Sequence, residues 1–185
     1  GTDIKVPDIC FKLCKKLKNI NLRSIKTVGK GGFSGCESLD FDILPKDIRV
    51  NDSAFSGCGI KHITVENLNS IEGTEKVFYN CRQLTEAVIE VRGANIPQDV
   101  KEVPIKLFSR CSSLEKVLFT GMTGKITSIG FAAFADTALK EFTIPENVKK
   151  IGNMAFFKTE QLTEITLPEK LKTIGRQTFS ESGLK

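Results

Sequence analysis

Apolar and polar positions along this chain alternate on two scales. Locally, short runs such as Leu162-x-x-Ile165-x-Leu167 end in period-two alternation, which predicts a short strand with one buried face. Over a longer range the same frame recurs. Ile151-Gly152-x-x-Ala155-Phe156-x-x-Thr159-x-x-Leu162-x-x-Ile165-x-Leu167-Pro168 follows Ile129-Gly130-x-x-Ala133-Phe134-x-x-Thr137-x-Leu139-x-x-Phe142-x-Ile144-Pro145. Phe anchors the frame at Phe11, Phe33, Phe55, Phe78, Phe108, Phe134, Phe156 and Phe179, so eight of the thirteen Phe hold one position. A fixed period of this length marks a repeat architecture in which each unit buries its apolar face against its neighbours.

Each unit reads as one coil. Three residues after the Phe comes a small residue (Cys14, Cys36, Cys58, Cys81, Cys111, Thr137, Thr159, Ser182). An aliphatic and then an inward pair follow, for example Ile63/Val65 and Val117/Phe119. Pro45, Pro145 and Pro168 end their strands, because Pro lacks the donor a ladder needs. The stretch around the Phe is too short for a full helix and predicts a helical or 3₁₀ turn. The position after the returning Val or Ile holds Gly29, Gly130, Gly152 and Gly175 but also Pro7, Asn51 and Pro104, so it predicts a tight turn without a general need for positive φ. At ~4.8 Å per strand, eight coils make a rod of roughly 35–40 Å.

These motifs resemble the leucine-rich repeats of the Bacteroides surface protein A-like type, a cysteine- and phenylalanine-containing class, from Val6 to Leu184. The resemblance implies a mostly β α/β solenoid: a right-handed leucine-rich-repeat superhelix with a concave parallel sheet and short helical or 3₁₀ turns. It implies a secreted or cell-surface protein acting in adhesion or protein recognition, without catalysis and without a cofactor. Asp42 departs from the pattern where the second strand wants an apolar residue, and Ala87 is small in the fourth. Residues 1–185 are expected to form one solenoid of about eight units. The start at Gly1 reads as a cleavage scar with any signal peptide removed, and the end at Lys185, in mid-unit without a polar cap, suggests part of a longer chain.

Composition narrows the function. With 40% apolar and 26% charged residues the chain is neither disordered nor membrane-spanning, and no partner in the bilayer is expected. Residues 1–30 carry eight Lys/Arg against two Asp, whereas the remainder is near neutral. That is short of a nucleic-acid footprint. The cluster Lys12, Lys15, Lys16 and Lys18 reads as a solvated face, or as a contact for an acidic surface or anionic glycan. Every Cys has a packing explanation, with Cys10 standing where Ala54, Ala133 and Ala155 stand elsewhere. Free buried thiols are the reading taken, although stacked neighbours could also reach disulfide distance. No metal site is expected, since Cys10-x₃-Cys14 stands alone. A Cys58–His62 hydrolase is a distant alternative, because the frame points Cys58 inward and His62 outward.

The outward strand positions form the surface a partner would use. They run from Asn19 and Asn21 to Glu164 and Thr166, and the candidates among them are Phe41 and Ile43, His62 and Thr64, Glu86 and Val88, Lys116 and Leu118, and Glu141 and Thr143. Phe41, Ile43, Val88 and Leu118 are apolar where water is expected, which points to an interaction site. For Phe41 and Ile43 a register slip around Asp42 that turns both inward is equally open. The two long spacings, 30 and 26 residues, add loops beside this face, with Arg92, Asn95, Gln98 and Met122 as candidates. The leading function is a non-catalytic module that binds a protein partner. A glycan-binding or spacer segment of a larger surface protein is the alternative.

Overall fold

The computed structural model describes residues 3–71, 73–92 and 101–185. It is a parallel-strand solenoid: the Phe period predicts the stacked coils, and the resemblance implies the leucine-rich-repeat kind. The eight anchor rings form one column. Successive centroids lie 5.0, 5.6, 6.0, 5.8, 6.1, 5.4 and 5.5 Å apart, with planes within 24° of parallel. The six rings from Phe33 to Phe156 are completely buried.

Two parallel ladders flank this column. One contains the long-stranded sheet, in the order β3 (Ile43–Leu44), β5 (His62–Val65), β6 (Glu86–Val91) and β8 (Lys116–Gly121). The other carries the short return strands. β1 (Ile4–Val6), β2 (Ile25–Val28) and β4 (Arg49–Val50) form its first part. β7 (Glu102–Val103), β9 (Ser128–Ile129), β10 (Lys150–Ile151) and β11 (Thr173–Ile174) form its second. Between the two parts the 3₁₀ segment Leu68–Ile71 stands in place of the fourth coil's return strand, and a parallel bridge joins Glu75 of that coil to Ile105 of the next. Where Pro ends a strand its carbonyl accepts the N–H three residues on, as in Pro45 to Ile48 and Pro145 to Val148.

The Phe turn corrects the expectation of a helical or 3₁₀ segment. It is a run of overlapping turns, such as Gly32 N–H to Gly29, Ser34 to Gly31 and Cys36 to Phe33. The residues two before and two after each Phe have positive φ. All thirteen non-glycine residues with positive φ among the described residues belong to these two columns, from Ile9 (φ +50°) to Glu181 (φ +58°). Such backbone costs roughly 1–2 kcal/mol per L-residue. What offsets it is a third ladder. The N–H groups at these positions and at the Phe itself donate to the next coil, as in Lys106 to Phe131 (2.9 Å), Phe108 to Ala133 (2.9 Å) and Arg110 to Ala135 (2.8 Å).

The small residue after the Phe also has a distinct bonding role. The thiols of Cys36, Cys58, Cys81 and Cys111 donate to the Phe carbonyl of the preceding coil at 3.0–3.2 Å. The hydroxyls of Thr137 and Thr159 instead donate to the Phe of their own coil at 2.8 Å. Gly152 is required by close approach and not by φ: a Cβ there would lie 2.8 Å from the Phe131 nitrogen of the coil below.

Candidate functional site

The outer face of the long-stranded sheet is built by alternation. In β8, Val117 is buried while Lys116 and Leu118 on either side are not. In β5 and β6 the inward residues Ile63, Val65, Ala87 and Ile89 are buried, which turns His62, Thr64, Glu86 and Val88 outward. Register then aligns the outward residues across strands. Ile43, Thr64, Val88 and Leu118 are direct neighbours in one row, roughly 14 Å long at strand spacing. Ile43 is 39% exposed and Leu118 40% exposed, and Val88 between them is half-buried. Core packing does not account for these apolar residues, because their buried neighbours already fill the spine.

Polar rows border this apolar row. On one side His62, Glu86 and Lys116 are in register. On the other, Glu90 pairs with Thr120, and Glu66 follows β5, its N–H bonded to the Leu44 carbonyl. Glu66, Glu90 and Thr120 were not among the predicted site residues. The signal for Glu90 was present, since Glu86-x-Val88-x-Glu90 continues the period-two pattern through a six-residue strand. Thr143 and Glu141 are exposed on the next coil but lie outside this sheet: among the described residues Thr143 has an isolated bridge to Thr166 and no strand pairing with β8.

Phe41 and Ile43 separate. Phe41 turns toward the core and meets Phe55 edge-on at 4.9 Å, as Phe142 meets Phe156 at 4.9 Å. Phe41 is therefore removed from the exposed surface. Asp42 takes the outward side in its place, since sinking an unpaired carboxylate into the spine costs several kcal/mol. Ile43 stays outside, paired with Thr64, so the slip covers one residue rather than two.

Of the predicted loop residues, Arg92 is exposed and paired with Glu90 at 2.8 Å. Met122 is 52% exposed at the end of β8, its N–H bonded to the Val91 carbonyl at 2.7 Å. The chain turns there at Gly121, whose φ of +77° brings it against the same carbonyl. Asn95 and Gln98 lie outside the described residues.

The Cys–His pair does not assemble. The buried Cys58 thiol is bonded to the Phe33 carbonyl at 3.2 Å, whereas His62 is exposed with Nδ1 3.3 Å from the Thr85 hydroxyl. Burial, and then the neighbouring Cys81 and Cys36 thiols, push the Cys58 thiol far above the usual range, so it is no nucleophile at neutral pH. Burial likewise pushes up Cys111 and Cys36. Cys10 and Cys14 differ from the packing expectation: both are exposed, because the first described coil has nothing stacked beneath it. All six cysteines are free. Among the described residues no group of three His, Cys, Asp or Glu could hold a metal ion, and no helix is long and apolar enough to cross a membrane.

Comparison with known proteins agrees with this architecture. The family model described as BspA type Leucine rich repeat region matches residues 4–92 and 90–185, in six copies. A leucine-rich repeat protein from Eubacterium ventriosum is 26% identical, with a TM-score of 0.72, over 88% of this chain and 42% of its own. A leucine rich cell surface protein from Faecalibacterium prausnitzii is 26% identical, with a TM-score of 0.64, over the same shares. A leucine-rich repeat protein from Bacteroides ovatus, 24% identical with a TM-score of 0.59, covers 97% of this chain and 58% of its own. The chain thus spans about half the length of these relatives. No curated protein matches it in sequence.

Proposed function

This chain belongs to the BspA-type leucine-rich repeat family, and from that premise we propose that it is a non-catalytic module of a cell-surface or secreted protein that binds a protein partner through the outer face of the β3–β5–β6–β8 sheet. The observation that carries this reading is the row Ile43, Thr64, Val88 and Leu118, in register across four strands, with Ile43 and Leu118 exposed, Thr64 and Val88 half-buried between them, and polar residues along both sides. An apolar centre with a polar rim is the anatomy of a protein interface. Acidic Glu86 on one side and Glu66 on the other, with Glu90 already paired to Arg92, favour a partner that presents apolar side chains flanked by cations. His62, Lys116 and Met122 extend the contact at the rim. The extracellular setting is supported by the F. prausnitzii relative, which is described as a cell surface protein.

The test is binding of the purified chain to a panel of purified extracellular-matrix proteins, beside a glycan array. Val88→Asp with Leu118→Asp is compared with the off-face control Lys172→Asp. Loss of a central hot spot is worth about 2 kcal/mol, so binding to a matrix protein should weaken roughly 30-fold in the double variant and stay unchanged in the control. A response to glycans alone, or protein binding that survives the double variant, would overturn the assignment of this face.

A further inference from the structure

On the turn side of the solenoid, away from the long-stranded sheet, a groove of about 500 Å³ crosses the first four coils. Its walls are the two columns that the left-handed turns push outward. One holds the residues two before each Phe, including Lys76, and the other the residues one after it: Lys12, Ser34, Ser56 and Tyr79. Lys30 adds a third cation. Among the described residues none of the three lysines makes an ion pair, and no hydrogen bond engages the hydroxyls of Ser34 or Tyr79. The one lining carboxylate, Asp8, is occupied by the main-chain N–H of Lys30 at 2.7 Å. A fourth cation, Arg110, lies over the half-buried Tyr79 ring at 5.8 Å.

The same two positions differ in the later coils. In the fifth they are Lys106, whose ammonium lies over the Phe131 ring at 5.1 Å, and buried Ser109; in the sixth they are Ala132 and Ala135, both buried, and the wall there carries neither charge nor hydroxyl. The groove also sits in the basic end of the chain, where residues 1–30 carry a net +6, so the wider field has the sign of the local one.

We propose that this groove binds an acidic oligosaccharide, with Lys12, Lys30 and Lys76 taking its sulfate or carboxylate groups and Ser34 and Tyr79 taking its ring hydroxyls. Lysines spaced along a groove act as point charges and suit anions distributed along a chain, whereas a compact phosphate is better held by an Arg fork or a nest of main-chain N–H groups. Free hydroxyls and an aromatic wall match the polar rim and apolar ring face of a sugar. Nucleic acid fits less well, since the groove offers one aromatic ring and the body of the chain is near neutral.

Calorimetric titration tests this with a heparin-derived tetrasaccharide, its desulfated counterpart, polyglutamate and polyphosphate, all at low salt. The variants are Lys30→Gln with Lys76→Gln, Tyr79→Ser, and the control Lys15→Gln with Lys16→Gln and Lys18→Gln. Retained thermal unfolding shows that each is folded. The sulfated sugar should bind and the desulfated one far more weakly. Affinity should fall roughly tenfold or more in the groove double variant, severalfold in Tyr79→Ser, and less than about twofold in the control. Absence of binding, equal affinity for polyglutamate or polyphosphate, equal loss in the control, or insensitivity to Tyr79→Ser would each overturn the assignment.

Discussion

Replacing Phe156 by Ala removes a completely buried ring that touches Phe134 at 5.4 Å, Phe142 at 4.9 Å and Phe179 at 5.5 Å. A buried Phe→Ala change costs about 3–5 kcal/mol in lost transfer energy and residual cavity. Three ring contacts of the stacked and edge-on kind put Phe156 toward the upper end of that range. The same change at Phe11 removes a ring that is 38% exposed, with one ring neighbour, Phe33, at 5.0 Å. Its cost should be only about 1–2 kcal/mol. Urea unfolding followed by circular dichroism reads both, provided the slope of each transition matches wild type, because stacked arrays can lose cooperativity when weakened internally. A cost below ~1 kcal/mol for Phe156→Ala, or equal costs at the two positions, would refute the claim that the column is the packed spine.

Three further expectations follow from the turns and the thiols. Asp136 is exposed with φ +59°, so Asp136→Gly should leave stability unchanged or raise it by up to ~1 kcal/mol, and Asp136→Val should lower it by ~1–2 kcal/mol; a harmless Val would contradict the left-handed assignment. In the folded chain Cys10 and Cys14 should react quickly with a thiol reagent and the other four only on unfolding, and six equal rates would contradict the burial pattern. Cys58 and Cys111 have thiols raised by burial in the fold, so their stabilisation is complete below the unfolded thiol value of 9.0 and declines above it as the unfolded thiols ionise. That decline approaches ~1.4 kcal/mol per thiol per pH unit, and Cys58→Ser should remove one thiol's share of it.

The repeat was legible because the spine tolerates few side chains: a ring must sit on a ring, so Phe recurs and its spacing reveals the coil. The inward and outward faces of β5, β6 and β8 were legible for the same reason, since one face is dry. Around Asp42 the pattern had two solutions, and only the ring contact between Phe41 and Phe55 decides between them. The turn conformation was hidden because the left-handed positions hold residues as unlike as Ile9, Lys106 and Met154. No local propensity announces them, since hydrogen bonds between coils impose the backbone. Exposure of Cys10 and Cys14 was hidden too, because burial in a stack belongs to the neighbouring coil as much as to the residue. The groove near Tyr79 is not legible in the sequence because its lysines and serines are far apart in the chain and meet only through stacking.

The most direct test of the account is a scan of Asp substitutions along β8, at Lys116, Val117, Leu118 and Phe119, read as unfolding free energy. Strict alternation is predicted: about 3 kcal/mol or more lost at Val117 and Phe119, and under about 1 kcal/mol at Lys116 and Leu118. Equal losses at Leu118 and Val117 would mean that Leu118 belongs to the core, and the exposed row would cease to exist as a binding surface.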